Sequence, residues 1–395
     1  MTESITYFDN ASTSYPKPDE VYSACDKYLR VAGNPGRGAH RLAYQAARTY
    51  FESRELIANH LGIVDTSRLV FTSGCTQSIA LVISGMLGSG ALKSGDSVLV
   101  TSFEHNAVMR TLAYHERVDE IKVVTVPPGA DGTMVDLVAL RRLLSAHPTP
   151  ALAAFTRASN VTGVVLDLPA IAPLLKQYNV PLLLDAAQSA GLIHDDLGAD
   201  DAISFYVASG HKGFYGPPGV GLLYVRDGFE LDPPFCGGTG SRSESLKMPD
   251  FLPDRLEPGT HAMHLAAGLA AGVQYVIDRG IDEIYSYENS LMQRFFEATA
   301  ELDFIEIKGR APFDPGHLPL ASFTYKGHTA DRVADWLDTG YGIAVRAGLH
   351  CAVTAHKVLN SEKTGLARVS FGAFNTIEQV DKLVVALKEL AKIPA

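Results

Sequence analysis

The chain is poor in cysteine, carries one tryptophan and lacks any long unbroken apolar run. Each shortage excludes something. Cys25, Cys75, Cys236 and Cys351 are too few and too scattered for a disulfide framework, and no two of them form a CxxC metal pair. Such usage fits a reducing compartment. The opening MTESITYFDN has no basic segment followed by an apolar one, so no secretory leader is expected. The longest soft apolar stretch, 263–277, is interrupted by glycines and too short to span a bilayer. A cytoplasmic location is the expectation. Cations are also in deficit: 34 Lys and Arg against 44 Asp and Glu leave a net charge of −10. That balance argues against a nucleic-acid surface, because such binding rests on clustered Lys and Arg.

What is present describes a folded, enzyme-sized protein. Hydrophobic residues make up 46% of the chain and charged ones 20%, which supplies ample core. A length of 395 residues exceeds what a single core normally serves, so a large and a small domain are expected. From about Val64 to Leu222 short apolar runs alternate with helical patterns: RLVFT then TQSIALVISGML, SVLVTS then HNAVMRTLAYHE, IKVVTV then MVDLVALRRLLSA. ALAAFT, VPLLLDA and AISFYVAS continue the series. Strands that are apolar on both faces and alternate with helices predict an α/β fold with a mostly parallel sheet between helical layers. After Pro258 a long Ala/Gly-rich helix (Met263 to Arg279) and an amphipathic one (Asp282 to Glu301) lead into a smaller α+β unit. It holds FIEIKG, LASFTYKG, a helix from Thr329 to Thr339, IAVRAG, ARVSFGAFN and a last helix from Ile377 to Lys392. The expected division is an N-terminal arm (1–15) associated with the small domain, a large domain (16–260), and a linking helix with the small domain (261–395).

Ligands of parallel sheets gather at the carboxyl ends of the strands, and four such ends carry chemistry. Lys212, in SGHKGFYGPPG, lies 27 residues after Asp185 in LLLDAAQSAG, so an amine and an acid should sit at the ends of neighbouring strands. That is the arrangement a pyridoxal phosphate site requires: a lysine to hold the aldehyde, and a carboxylate to keep the pyridine nitrogen protonated. Gln188, three residues after Asp185, is placed to reach the cofactor's phenolic oxygen. Phe71-Thr72-Ser73-Gly74-Cys75-Thr76-Gln77 follows a strand and opens a helix, so its N–H groups and hydroxyls suit a phosphate, or simply an N-cap. His105, in SFEHN, follows the next strand and would stack on a pyridine ring, or be an ordinary loop histidine. A bare Asp185 is also a common helix cap. Neither GxxxxGK[ST] nor a strand-linked GxGxxG occurs, which argues against a nucleotide.

Taken in order and spacing, these segments resemble the fold-type I, class V aminotransferase family, in its cysteine desulfurase and selenocysteine lyase branch. The resemblance runs from YFDNAST near residue 7 to FNTIEQVD near residue 381. It implies that Lys212 carries pyridoxal 5'-phosphate, that Asp185 partners the pyridinium, that Gln188 meets the phenolic oxygen and that His105 stacks on the ring. Thr76, Ser209 and His211 match phosphate contacts, and Gly74 and Cys75 fall at cofactor-binding positions. Asn160 in TRASNVTG and Arg368 in GLARVSFGAFN match the residues that hold the substrate carboxylate. Asn10 and Ala11 in YFDNAST, Arg37 in GNPGRGAH and Arg346 fall at further substrate-side positions. Val345-Arg346-Ala347-Gly348-Leu349-His350-Cys351 resembles the RxGxHC segment of the Suf-type subgroup, whose cysteine takes sulfur. A thiolate is a strong nucleophile near neutral pH, and neighbouring cations favour it. The alternative is a small buried hydrophobe, the reading given to Cys25, Cys75 and Cys236. His350, Cys351 and His356 lack a fourth ligand, so no metal is expected.

Two departures stand out. AVTAHK follows Cys351 where Suf-type enzymes more often have Gln-Pro. In EPGTH, whose threonine, Thr260, matches a phosphate contact made across a dimer, His261 replaces the usual proline. The resemblance therefore implies a homodimer that converts L-cysteine to L-alanine and loads Cys351 with a persulfide, with a sulfur-acceptor protein and iron–sulfur cluster assembly as its setting. Selenocysteine lyase or another C–S β-lyase is the nearest rival. A non-catalytic pyridoxal-phosphate-binding protein is a more distant one.

Overall fold

A computed structural model describes residues 5–31, 33–35, 38–309 and 316–393. The strands follow in chain order as β1 (Thr6–Tyr7), β2 (Leu69–Thr72), β3 (Ser97–Thr101), β4 (Lys122–Val126), β5 (Leu152–Thr156), β6 (Leu182–Asp185), β7 (Ile203–Ser209) and β8 (Gly221–Val225). They continue with β9 (Ile305–Lys308), β10 (Leu320–Tyr325), β11 (Ile343–Ala344), β12 (Arg346–Gly348) and β13 (Leu366–Ser370). The helices are α1 (Asp19–Val31), α2 (Arg41–His60), α3 (Cys75–Ser89), α4 (Asn106–Val118), α5 (Leu137–Leu144) and α6 (Leu168–Gln177). Then come α7 (Met263–Arg279), α8 (Ile281–Thr299), α9 (Ala330–Tyr341), α10 (Val353–Val358) and α11 (Ile377–Leu390).

Seven strands form the main sheet in the order β2-β8-β7-β6-β5-β3-β4, parallel except for β8, which runs antiparallel to both its neighbours. Every residue of β5, β6, β7 and β8 is buried, as their unbroken apolar sequences require. Alternation divides their side chains between two cores. Leu182, Leu184, Tyr206 and Ala208 pack on one face, and Leu183, Phe205 and Val207 on the other. Both faces are therefore covered by helices, which leaves the carboxyl edge of the sheet as the open place for a ligand.

A second sheet, β12-β13-β10-β9, is antiparallel and packs on α8, α9 and α11 through Phe295, Phe323, Val369 and Leu387. The N-terminal strand β1 pairs with β11, and Phe8 enters the core beneath this second sheet. Helices α1 and α2, not anticipated from the sequence, lie against α7. Residues 226–262 carry neither helix nor strand.

Candidate active site

The register of the main sheet brings its chemistry to one edge. Thr156, Asp185 and Val207 lie side by side across β5, β6 and β7, so Asp185 ends β6 while Lys212 lies three residues beyond β7. The two line one cavity of about 400 Å³ together with Gly74, His105, Asn160, Arg346 and Cys351. Asp185 is buried, and its Oδ1 accepts from the Ala187 amide at 2.9 Å and from Cys75 Sγ at 3.3 Å. Burial pulls the Lys212 amine below the ordinary lysine value; Asp185 opposes that shift, whereas Arg368 and Arg346 add to it. His211 is held near 4 by burial and by the adjacent Lys212, and its buried Nδ1 has no hydrogen-bond partner.

Helix α3 opens on this cavity. Gly74, its N-cap, offers no side chain, and the first N–H groups of the helix have no acceptor within it. Gly221 explains how β8 comes so near: a Cβ there would lie 2.6 Å from Gly74 Cα. An anion at this helix start would meet free N–H groups and the positive end of the helix. Across the cavity His105 caps α4, its Nδ1 accepting from the Ala107 amide at 3.0 Å. Burial and Lys212 lower its proton affinity, so the ring is neutral with its proton on Nε2.

The residue before it, Glu104, is fully buried, although nothing in SFEHN announces it. Its Oε1 accepts from the Thr101 and Thr156 amides and the Thr101 hydroxyl at 2.8–3.2 Å, and its Oε2 has no partner. Desolvation raises its carboxyl to about 8.

Cys351 comes from the second sheet's side. It and His350 adopt left-handed backbone, with φ of 58° and 47°, a conformation costly for residues with a Cβ. Two contacts hold the turn: the Asn160 amide donates to the His350 carbonyl at 2.6 Å, and the Asn106 N–H to the Cys351 carbonyl at 2.7 Å. Arg346 donates to Cys351 Sγ at 3.4 Å and to Ser12 Oγ at 2.7 Å. His350 is buried, neither ring nitrogen is bonded among the described residues, and burial lowers it to about 2. The AVTAHK stretch after Cys351 forms the short helix α10.

Arg368 is wholly buried, beside Lys212 but not among the residues lining the cavity. Its guanidinium is taken up by Asp9 at 2.7 Å, by Ser12 Oγ at 2.9 Å and by the Asn160 carbonyl at 2.9 Å. Asn10 lines an adjoining pocket that shares Ala11, Gln188 and Lys212, its amide donating to the Ser370 carbonyl and to Asn375. Ala11 lines the wall, and its carbonyl accepts from Gln188 Nε2 at 3.0 Å. Asn160, Thr76, Ser209 and Cys75 line it as well. Thr260 is exposed and borders an adjacent pocket that shares Ser73 and Gln77. Arg37 lies outside the described residues. The sequence reading missed Asp9 and Ser12, whose only sign was their spacing of three in a turn, DNAS.

Residues 6–383 match the family described as Aminotransferase class-V. The chain belongs to that family. Within it, the similar proteins are cysteine desulfurases. A probable cysteine desulfurase of Pyrococcus abyssi is 32% identical over 99% of this chain and 96% of its own. A cysteine desulfurase of Salmonella typhimurium is 32% identical over 98% and 94%. Among solved structures, a cysteine desulfurase from Thermococcus onnurineus superposes with a TM-score of 0.89 at 31% identity, covering 98% of this chain and 95% of that one. An Escherichia coli cysteine desulfurase bearing an S-sulfonic acid gives 0.87 at 28% identity over 100% and 96%.

Proposed function

We propose that this chain is a cysteine desulfurase that works with pyridoxal 5'-phosphate, converting L-cysteine to L-alanine and taking the sulfur onto Cys351. The observation that carries the reading is one cavity lined by Lys212, Asp185 and Cys351, with Arg346 hydrogen-bonded to the sulfur. The residues present fit the cofactor. Free N–H groups at the start of α3, Thr76, Ser209 and the unpartnered His211 would hold its phosphate, Asp185 its ring nitrogen, Gln188 its phenolic oxygen and His105 its face. When bound, that group supplies a sink for the electrons released at the substrate's Cα.

The chain's own residues supply the rest. Lys212, its amine made less basic by burial, moves the proton between the substrate's Cα and the product. Cys351, as thiolate, attacks the substrate sulfur: the S–S bond forms, the C–S bond breaks, and the cysteine is left as a persulfide with alanine as organic product. Arg346 holds the sulfur nucleophile in place, and Asn160 holds the turn that carries it. Arg368 supplies positive charge from behind the wall. A dithiol reductant, or in the cell a sulfur-acceptor protein, then discharges the persulfide.

The working unit in this reading is a homodimer. Thr260 stands outside its own chain's Lys212 cavity, which suits a hydroxyl serving a neighbouring copy, and such sharing favours a two-fold interface. A monomer with full cofactor occupancy and activity would overturn that part.

The deciding experiment is incubation with L-cysteine, with and without dithiothreitol, followed by assays for alanine and sulfide. Equal yields of both in the presence of reductant are expected. Turnover confined to selenocysteine or cystine in parallel incubations would instead assign the chain to the lyases.

A further inference from the structure

We infer that Ser12 is a positioning residue that ties the two active-site guanidiniums together and, through Arg346, sets the nucleophilic reactivity of Cys351. The inference rests on Cys351 being the sulfur acceptor. Ser12 is the last residue of a turn in which its hydroxyl donates to Asp9 Oδ1 at 2.7 Å. The same oxygen accepts from Arg346 at 2.7 Å and from Arg368 at 2.9 Å. A hydroxyl has one proton to give and two lone pairs to fill, so every hydrogen-bonding capacity of Ser12 is used.

The two arginines depend on this oxygen unequally. Arg368 is also gripped by Asp9 and by the Asn160 carbonyl. Arg346 has two hydrogen-bonded anchors, Ser12 Oγ and Cys351 Sγ. Removing the hydroxyl leaves Arg368 in place but frees Arg346 at the end opposite the sulfur. A long flexible side chain then has rotamer entropy to regain and little to oppose it. The guanidinium that donates to Cys351 Sγ would leave the sulfur for much of the time.

Charge sharpens the point. Burial lowers the Arg368 guanidinium, Asp9 opposes that shift, and the nearby Arg346 adds to it, so the two cations repel across this corner. A neutral acceptor standing between the two cations is what keeps Arg346 turned toward the sulfur rather than away from its like-charged neighbour. Ser12 also lines the cavity.

The test is alkylation of the cofactor-loaded protein by iodoacetamide, with the Cys351 peptide followed by mass spectrometry and the exposed Cys236 as internal control. In S12A the Cys351 rate should fall about fivefold to tenfold, as expected for loss of a charge-assisted contact, with Cys236 unchanged. In R346M the rate should fall at least as far, and adding S12A to R346M should change it by less than twofold, because the hydroxyl acts through Arg346. With L-cysteine, S12A should lower kcat about tenfold while KM stays within threefold and cofactor content is unaltered. S12G serves if S12A yields no soluble protein. A wild-type alkylation rate in S12A, or effects that multiply in the double variant, would overturn the inference. Absence of alanine production by the unaltered protein would instead count against the desulfurase reading, and the alkylation cycle would still judge Ser12.

Discussion

Lys212 and Cys351 face the same cavity, yet they are held there by different means. Lys212 follows β7, buried along its whole length and hydrogen-bonded to neighbours on both sides. Its backbone is further pinned by Gly213 and Gly191, packed so closely that a Cβ on Gly191 would lie 2.2 Å from the Gly213 carbonyl. Cys351 sits in a turn of two left-handed residues between β12 and α10, held by an asparagine side chain, one amide and an arginine. The first half of the site is fixed by sheet geometry and tolerates side-chain change around it. The second is fixed by side chains, so single substitutions can loosen it.

The largest effect should come from the rigid half. Lys212→Ala removes both cofactor attachment and the proton carrier, so turnover of L-cysteine should fall by at least about a thousandfold. Borohydride reduction should no longer label the peptide containing that position. Residual activity above a few per cent would mean that another amine does the work.

Cys351→Ser tests the other half alone. Desulfuration should drop by roughly a hundredfold or more, since an alcohol at neutral pH is a far weaker nucleophile than a thiolate. The absorbance of the bound cofactor should still respond to added cysteine, because the sheet edge is untouched. Alanine formed at the unaltered rate would make Cys351 a structural residue and would end the contrast drawn between the two halves.

That contrast also explains what the sequence revealed. A strand buried on both faces is an unbroken apolar run, and in a parallel sheet its last residues fall on one edge, so Asp185 and Lys212 could be placed from LLLDAAQ and AISFYVASGHK. The composition of helices α7 and α8 was legible for the same reason, in periodic apolar positions. Cys351 was reached through resemblance to a family, because nothing in RAGLHC by itself requires left-handed backbone at two non-glycine residues. The partners of Ser12 were out of reach: its hydroxyl meets Arg346 and Arg368, which are 334 and 356 positions away. Arg368 is a similar case: its resemblance to a carboxylate clamp was legible in GLARVSFGAFN, but its contacts with Asp9 and the Asn160 carbonyl were not. Glu104 sits among polar neighbours in SFEHN, a texture that reads as exposed loop. Only the approach of β5, through the Thr156 amide, buries it.

Glu104 and Glu288 allow the two regions to be compared by pH. One lies at the sheet edge, the other on α8, where it accepts from Tyr215 Oη at 2.7 Å. Burial raises each to about 8 from 4.5. A carboxyl raised on folding binds its proton more tightly in the folded state, so its contribution is full below about 4.5 and is lost as pH rises to 8. Each should cost on the order of a few kcal/mol across that window. Glu104→Gln and Glu288→Gln should each flatten the fall of urea stability between pH 5 and 8, and the two should add, being in separate cores. Curves parallel to the unaltered protein's would show that these carboxyls ionise freely.

The smallest effect is expected at Lys17, where the rigid half leans on the N-terminal arm. Its Nζ donates to Ser14 Oγ at 2.7 Å and to the carbonyl of His211, just before Lys212, at 2.8 Å. Among the described residues no carboxylate partners it there, and burial lowers it to about 8 from 10.5. A base lowered on folding has the opposite sign from the two glutamates. Its cost is full below about 8, where both states are protonated, and it fades as pH rises to 10.5 and the unfolded chain alone keeps the proton. Stability of the unaltered protein relative to Lys17→Met should therefore rise over that interval. The His211 carbonyl also accepts from the Ser14 amide and the Thr13 hydroxyl, so the variant should keep its Lys212 loop, with kcat within about threefold, less than one lost charge-assisted contact would cost elsewhere. Urea midpoints at pH 8 and pH 10 for the two proteins, with turnover at pH 8, measure both effects. A tenfold loss of kcat would mean that the lysine-bearing loop depends on a single side chain after all, as the Cys351 turn does.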